Sequence, residues 1–589
     1  MNISNKKIYN AILAGANEIM TKRVYLNNIN VFPVADGDTG SNLFSTMNNI
    51  IRSSKYRNSL KDSMDSVADA ALIGARGNSG IIFAQYFNGL SKGITASEFS
   101  VEQFIKSNNV GYEYACSSIQ VPVEGTIISA MKAYVNALEK AANKTGDFIK
   151  VMEFAYEEVE KAVLETTNQL KVLKKESVVD SGAEGFKFFI KGFIDFLKGT
   201  KEEFERDQTF EFDSNFDNSS HAIQDIEFRY CTEAMFIENN LDTERIKEEL
   251  TPFGDSLIVA ANERTGRIHI HTDRPDLVFD KIAEFSEVVY QKADDMIRQN
   301  EVVAARKYPI ALVTDSIADL PQSIVDQYQI HVVNINILIG KTNYFDKLTI
   351  NNEMVDKYMN DVSKHPTTSQ PDIKTIENLY DYLLTYYDSV IVMAVSKELS
   401  GTYNVFNKVK QDLGLDDKVT VIDTKQNSGA EGLLVDLCAR EIALGKSHED
   451  VVNHILSVIK KSKIIVKIRT LKNMISSGRL STKAGKVANL VNLRPLITLD
   501  HEGKGAIEKV AFSDIGATNT LIKQLKKVHK ENGIKEYNLV HINNEQEAID
   551  LARELEDIFG FAPTYITETS SVIAIGAGSG AVAVSFITN

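Results

Sequence analysis

The spacing of apolar residues changes twice along this chain, and each change marks a different kind of fold. Up to about Leu197 the spacing is helical: Ile8, Ile12, Ala16 and Ile19 share one face, and Ala68, Ala71, Leu72 and Ala75 repeat the pattern. From about Ile226 to Arg306, strand-like runs (FRYCTEAMFI, DSLIVAA, RIHIHT) are interleaved with helical ones (TERIKEEL, DLVFDKIAEF). From Tyr308 onward, apolar strands (IALVTDS, HVVNINILI, DSVIVMAVS, KVTVIDT) alternate with helices such as IENLYDYLLTYY. After about Lys463 the strands continue at a different spacing (IIVKIRT, RPLITLD, YNLVHIN, PTYITE, AVAVSFI), which predicts a second lobe and a cleft. A chain of 589 residues is too long for one core. The reading is therefore multidomain: an all-α domain over 1–200, a small α+β domain over 220–306 and a two-lobed α/β domain over 307–589. The polar stretch 201–220 separates the first two.

Charge and cysteine content narrow the function. Lys and Arg number 65 against 80 Asp and Glu, a net charge of −15 with no basic block, so binding to nucleic acid by counterion release is not expected. Cys116, Cys231 and Cys438 are few, odd in number and far apart, as in a reduced cytoplasmic protein without a disulfide framework. The N-terminus has no continuous apolar segment of the signal-peptide kind. The most apolar C-terminal stretch, 572–587, is broken by Gly576, Gly578 and Gly580 and reads as a buried strand with a glycine turn, because a spanning helix needs about 20 mostly apolar residues.

Three Gly- and Asp-rich segments interrupt the helical region: DGDTGSN (36–42), GARGNSG (74–80) and DSGAEG (180–185). Each precedes an apolar-periodic run, and helix N-termini attract phosphates. Asp36 and Asp38 offer hard oxygen ligands of the kind Mg²⁺ takes alongside substrate phosphates. A capped turn or a fragment of a Ca²⁺ loop has the same composition. Gly77, Asn78 and Ser79 read as a phosphate-cradling loop or as a plain helix-to-helix turn. Further on, Cys231 with His269 and His271, the two histidines on one face of a strand, could bind Zn²⁺, or the histidines could be hydrogen-bonded structural residues.

NVFPVADGDTGSN (30–42), LIGARGNSGIIFAQYFNGL (72–90), VPVEGTI (121–127) and VVDSGAEGF (178–186) resemble, in order, the ATP-binding domain shared by dihydroxyacetone kinase and bacterial fatty acid kinase, with the fatty acid branch closer. The resemblance implies a closed barrel of helices with ATP and Mg²⁺ at one end and Asp36 and Asp38 as metal ligands. It places Asn30, Thr39, Asn42, Gly77, Asn78, Ser79 and Asp180 around the nucleotide. Asn30 stands where the dihydroxyacetone branch carries an extra Asp. YCTE (230–233), HIHT (269–272) and KADDMIRQ (292–299) are similar to the middle domain of fatty acid kinases, where the matching Cys and His residues are functionally important.

VTDSIADLP (313–321), TTSQP (367–371), LSGTY (399–403) and ISSGRLS (475–481), followed by NLRPLITLD, look like the DegV family of fatty-acid-binding proteins. The resemblance implies that Thr368 and Ser400 hold a fatty acid carboxylate with Asp315 and Ser316 nearby, that Arg479 meets the transferred phosphate or the kinase domain, and that a tunnel takes the tail. The family's C-terminal Gly-x-His segment is absent, and Gly576 falls at the His position of IGAGSGAVAV. The fusion implies ATP-dependent phosphorylation of a fatty acid to acyl phosphate, with a homodimer and a transient membrane or acyltransferase contact as partners. The alternatives are a dihydroxyacetone-type small-molecule kinase and a non-catalytic lipid-binding protein.

Overall fold

The computed structural model describes residues 3–32, 37–95, 99–119, 121–205, 226–238, 241–262, 264–359, 365–469, 474 and 493–589. Asp36 and Arg479 lie outside the described residues, as does most of the polar stretch after Lys201. The chain forms two compact units, Met1–Asn300 and Glu301–Asn589.

Among the described residues the first unit begins with ten helices: α1 (Asn5–Thr21), α2 (Arg23–Asn28), α3 (Thr39–Ser53), α4 (Leu60–Gly74), α5 (Gly77–Gly93), α6 (Val101–Ser118), α7 (Ile127–Ala142), α8 (Phe148–Gln169), α9 (Lys171–Glu176) and α10 (Ser181–Lys198). Their apolar faces build one core that includes Ile12, Met47, Phe83, Phe87, Tyr134 and Phe186. Several helices supply their own N-caps: Ser4, Ser59, Ser100, Asp147 and Asp180 each accept a backbone N–H of the following turn. The helices that follow the other glycine-rich motifs start differently. At α3, α5 and α7 the cap residues Asp38, Arg76 and Thr126 make no side-chain cap bond.

A four-stranded antiparallel sheet completes this unit, with β1 (Tyr230–Ile237), β2 (Asp255–Ala261), β3 (Thr265–Thr272) and β4 (Glu287–Asp295) in the order β2-β3-β1-β4. Between its strands lie α11 (Thr243–Leu250) and α12 (Pro275–Ala283). Alternation divides the sheet. Thr232, Ala234, Phe236, Ile268 and Ile270 form its apolar face, and α12 packs on the sheet through β1 and β4. The opposite face turns toward the helices, and Ile258 and Ala260 of β2 join the helical core.

Among the described residues the second unit holds three sheets. β5 (Ile310–Asp315), β6 (His331–Val333), β10 (Ser389–Ala394) and β11 (Val419–Asp423) form a parallel sheet, β11-β10-β5-β6. β7 (Asn336–Ile339), β8 (Thr342–Phe345) and β9 (Thr367–Ser369) form a small antiparallel sheet, β8-β7-β9. The second lobe is a six-stranded sheet of β12 (Ser462–Lys467), β13 (Arg494–Leu499), β14 (Gly505–Ala511), β15 (Ile534–His541), β16 (Ile566–Glu568) and β17 (Val582–Thr588), in the order β14-β13-β12-β17-β15-β16. No described helix is long and apolar enough to cross a membrane.

Three local expectations are corrected. HVVNINILI is two strands in two sheets, β6 and β7. Asn334 donates to the Asp346 carbonyl, and the Ile335 N–H goes to Ser316 Oγ, so the joint leaves the ladder. The stretch 572–587 is half helix: Ser570 caps Ser571–Ala577, Gly578 (φ +82°) ends it, and only Val582–Thr588 is strand. Residues 77–80 are the first turn of α5 and not a loop, with Gly77 at φ +56°.

Candidate functional site

In the first unit the motif residues come together at one end of the helices. Gly77 packs on the Asn42 side chain so closely that a methyl group there would collide with it. A Cβ on Gly182 would lie 3.1 Å from Ser79 Oγ and 3.3 Å from Asp180 Oδ1. The start of α3 is fixed from α2: the Ser41 N–H donates to Asn27 Oδ1 (3.0 Å), and Arg23 Nε and Asn27 Nδ2 donate to Ser41 Oγ. Thr39 and Asn30 are buried, and Asp38 is half-buried with its carbonyl accepting the Asn42 N–H (2.8 Å). The Asn78 Oδ1 atom is buried without a hydrogen-bond partner. Burial raises the Asp180 carboxyl to about 6, against the pull of the Ala183, Ile127 and Gly182 N–H groups. The N-termini of α3 and α5, a carboxylate and two hydroxyls thus border one region, a donor set that suits phosphate oxygens and a hard cation.

The polar face of the sheet closes on this region. In register across the strands stand Asp255, His271, Cys231 and Asp294, and beside them Ile258, His269, Glu233 and Lys292. Ligating atoms of Cys231, His269 and His271 lie within 4.8 Å of one another. Cys231 Sγ is 3.9 Å from His269 Nδ1. Each imidazole has a carboxylate at Nδ1: Glu233 Oε1 at 3.8 Å from His269 and Asp255 Oδ1 at 3.6 Å from His271. His269 Nε2 is buried with no partner. Burial, then the neighbouring His269, lower His271 to about 3, which keeps it a neutral donor. Burial and Asp294 push the Cys231 thiol well up, so a metal would have to displace its proton. One thiol and two carboxylate-backed imidazoles with an orphaned nitrogen fit a zinc-type ion.

Sequence pattern does not single out Glu233, Arg267 and Lys292, although YCTE and RIHIH place Glu233 and Arg267 at the same two-residue spacing as the cluster; Lys292 meets Glu233 only across the β1–β4 register. Glu233 is 1% exposed, and its Oε1 accepts the Gly77 N–H at 2.7 Å. Arg267 lies over the Tyr290 ring at 5.3 Å and donates at 3.5 Å to the carbonyl of Ile73, at the end of α4. Burial alone would raise Glu233, but the nearby His269 and the Lys292 and Arg267 charges hold it at about 2, against 4.5 ordinarily. A lowered folded value means that this stabilisation is full above the unfolded value and is lost as pH falls toward 2. Urea unfolding should therefore show wild type losing about 2 kcal/mol more than Glu233→Gln between pH 5 and pH 2.5. Parallel losses in the two proteins would contradict the assignment.

In the second unit a cavity of about 430 Å³ lies between the lobes. Ile317 and Val395, just past the ends of β5 and β10, line one side, while Ile464, Val540 and Ala583 of the six-stranded sheet line the other. This is the carboxyl-end position expected of ligands in open α/β sheets. Thr368 and Ser400 both line it, with Asn427 and Ser428 adding polar groups. Thr368 sits within β9 and not after a strand, and Ser400 Oγ is 2.8 Å from Thr402 Oγ1. Gly576 also lines the cavity. Asp315 and Ser316 stand one layer behind, fully buried. Asp315 accepts the Ile317 and Val395 N–H groups, and Ser316 Oγ donates to Asp346 at 2.5 Å. They hold the cavity wall and are not among the residues that line it.

Fold and sites define a chain with a helical end where glycine-rich helix starts meet, a buried thiol–imidazole cluster against it, and a separate two-lobed α/β unit around an apolar cavity. Family models match in the same order: a DAK2 domain over 33–195, a middle domain of the fatty acid kinase type over 227–303, and the uncharacterised DegV family over 309–589. The chain carries all three domains in one polypeptide. An uncharacterized protein of Staphylococcus haemolyticus is 32% identical and one of Staphylococcus saprophyticus 33% identical over 319 residues, covering 52% of this chain and 57% of each relative. The chain thus spans little more than half the length of these relatives. A DegV family protein from Thermus thermophilus, described for its fatty acid binding, aligns at TM-score 0.45 and 24% identity over 48% of this chain and 100% of its own. DegV from Bacillus subtilis, described as a fatty acid binding protein, aligns at 0.43 and 23% over the same shares.

Proposed function

We propose that this protein transfers the γ-phosphoryl group of ATP to the carboxylate of a fatty acid, giving acyl phosphate and ADP. The observation that carries the reading is the presence, in one chain, of a DAK2 domain with glycine-rich helix starts that lack a cap from their own N-cap residue, at Asp38 and Arg76, and a DegV domain whose cavity is lined by Thr368 and Ser400. Tethering the two would make their encounter intramolecular, with a high effective concentration.

A fatty acid carboxyl group, with a pKa of about 4 to 5, is ionised at neutral pH and needs no general base. Positioning and charge neutralisation remain, as in phosphoryl transfer generally. Asp36 and Asp38 would hold Mg²⁺, which when bound neutralises charge on the phosphates. The first turn of α5, through Asn78 and Ser79, and Asp180 would border the phosphates. Thr368 and Ser400 would donate to the carboxylate, and the apolar cavity walls would take the tail. Cys231, His269 and His271 would hold Zn²⁺ as a structural or regulatory ion. Arg479 would meet the phosphate or the kinase region, and a cytoplasmic homodimer handing its product to a membrane-associated acyltransferase would complete the reading.

The test is hydroxylamine trapping with Mg²⁺-ATP and a panel of fatty acids. Fatty-acid-dependent hydroxamate is the expected result. ADP release with dihydroxyacetone and no hydroxamate would replace this reading with a small-molecule kinase; silence in both, with lipid bound, would leave a binding protein.

A further inference from the structure

The first turn of α5 has no cap of its own, since Arg76 makes no side-chain bond to it. Its cap comes instead from Glu233, 156 residues further along the chain, through the 2.7 Å bond to the Gly77 N–H. The same carboxylate stands 3.8 Å from His269 Nδ1, and its second oxygen, Oε2, has no hydrogen-bond partner. His269 is 3% exposed and leaves Nε2 orphaned on the other edge of its ring. A single buried side chain therefore connects the thiol–imidazole cluster to the helix start beside Asn78 and Ser79.

We propose that Glu233 is a positioning residue that couples the two sites, so that a zinc-type ion at Cys231, His269 and His271 and nucleotide phosphates at the start of α5 strengthen each other's binding. The proposal rests on the nucleotide and metal reading above. A metal on His269 Nε2, the ring nitrogen without a partner, leaves the ring proton on Nδ1, which faces Glu233 Oε1 at 3.8 Å and Cys231 Sγ at 3.9 Å. The carboxylate is then held between Nδ1–H and the Gly77 N–H, and the first turn is fixed with the next N–H groups, of Asn78 and Ser79, directed outward for phosphate oxygens. Without the metal the ring proton is free to sit on Nε2, and the carboxylate keeps only its Gly77 bond and its charged neighbours. The role differs from a plain cap because the effect depends on what the cluster holds.

Full-length protein is prepared with zinc and after chelation, with Mg²⁺ restored in excess. Metal content is measured by mass spectrometry, and affinity for a non-hydrolysable ATP analogue by calorimetry. Stripping the metal should weaken nucleotide binding roughly tenfold, and nucleotide should tighten zinc by the same factor, because coupling is reciprocal. Glu233→Ala removes Oε1, the one oxygen that faces both the Gly77 N–H and His269 Nδ1. It should hold zinc, show an unchanged circular dichroism spectrum, and bind nucleotide with equal affinity with and without metal. A wild type that binds both ligands independently, an effect of opposite sign, or coupling preserved in Glu233→Ala would overturn this role while leaving the two sites in place. A wild type that binds no zinc, or no nucleotide, would overturn the coupling and the corresponding part of the functional reading together; the wild-type reciprocity alone decides the matter if the variant does not fold.

Discussion

Asp38→Ala should lower fatty-acid-dependent acyl hydroxamate formation by about 10³-fold or more while leaving fatty acid binding unchanged. Asp38 stands at the start of α3, where its backbone carbonyl receives the Asn42 N–H and its side chain makes no cap bond. The helix therefore does not depend on that carboxylate for its first turn, and the loss should fall on the site. Its charge reaches across to Cys231, where it helps to raise the thiol. Removing one preorganised electrostatic partner from a phosphoryl-transfer site costs on the order of 10²–10³ in rate, and losing a metal ligand costs more. Trapping with hydroxylamine reads the first quantity, and quenching of a fluorescent fatty acid reads the second. Retained turnover would remove Asp38 from the catalytic set. Loss of lipid binding along with turnover would contradict the division of labour between the two units.

The largest effect on stability should come from Asp319→Ala. Asp319 is fully buried and accepts from Ser428 Oγ (2.5 Å), the Ser570 N–H (2.7 Å) and Lys347 Nζ (2.8 Å). One carboxylate thus ties the start of the helix Ser428–Ala443 to the cap of the helix Ser571–Ala577, and residues of both helices line the cavity. Alanine leaves the Ser570 N–H, the Ser428 hydroxyl and a lysine without their shared acceptor. Breaking a buried charged pair by removing one partner costs about 3–5 kcal/mol. Urea unfolding should show the unfolding free energy of the second unit falling by that amount at constant m-value, and Asp319→Asn, which keeps one acceptor oxygen, should lose less. An unfolding free energy unchanged within about 1 kcal/mol would show that solvent or neighbouring acceptors replace the carboxylate.

Local pattern carried the architecture far. The helices of the first unit follow from apolar spacing and from Ser and Asp caps, which act within four residues. Alternation in RIHIHT and FRYCTEAMFI set the strands β3 and β1 for the same reason. Where a neighbour distant in sequence supplies the hydrogen bonds, pattern failed: Asn334 and Ile335 divide an apparently continuous strand because Asp346 and Ser316 take their polar groups. The segment 572–587 reads as one apolar strand until Ser570 caps its first half. Asp315 and Ser316 read from the resemblance as neighbours of the carboxylate, and their bonds to Val395 and Asp346 set them in the wall behind the cavity.

The sequence by itself determined the three-domain order, the glycine-rich helix starts and the Cys231–His269–His271 set, because each depends on residues a few positions apart or on the two-residue period of a strand. Only the tertiary structure decided which of those residues meet. The bond from Gly77 to Glu233 spans 156 positions, and the buried anchor at Asp319 joins Ser428 to Ser570. Such contacts form when separate elements bury their apolar faces together and must then satisfy the polar groups enclosed with them, a condition that no local window of the chain contains.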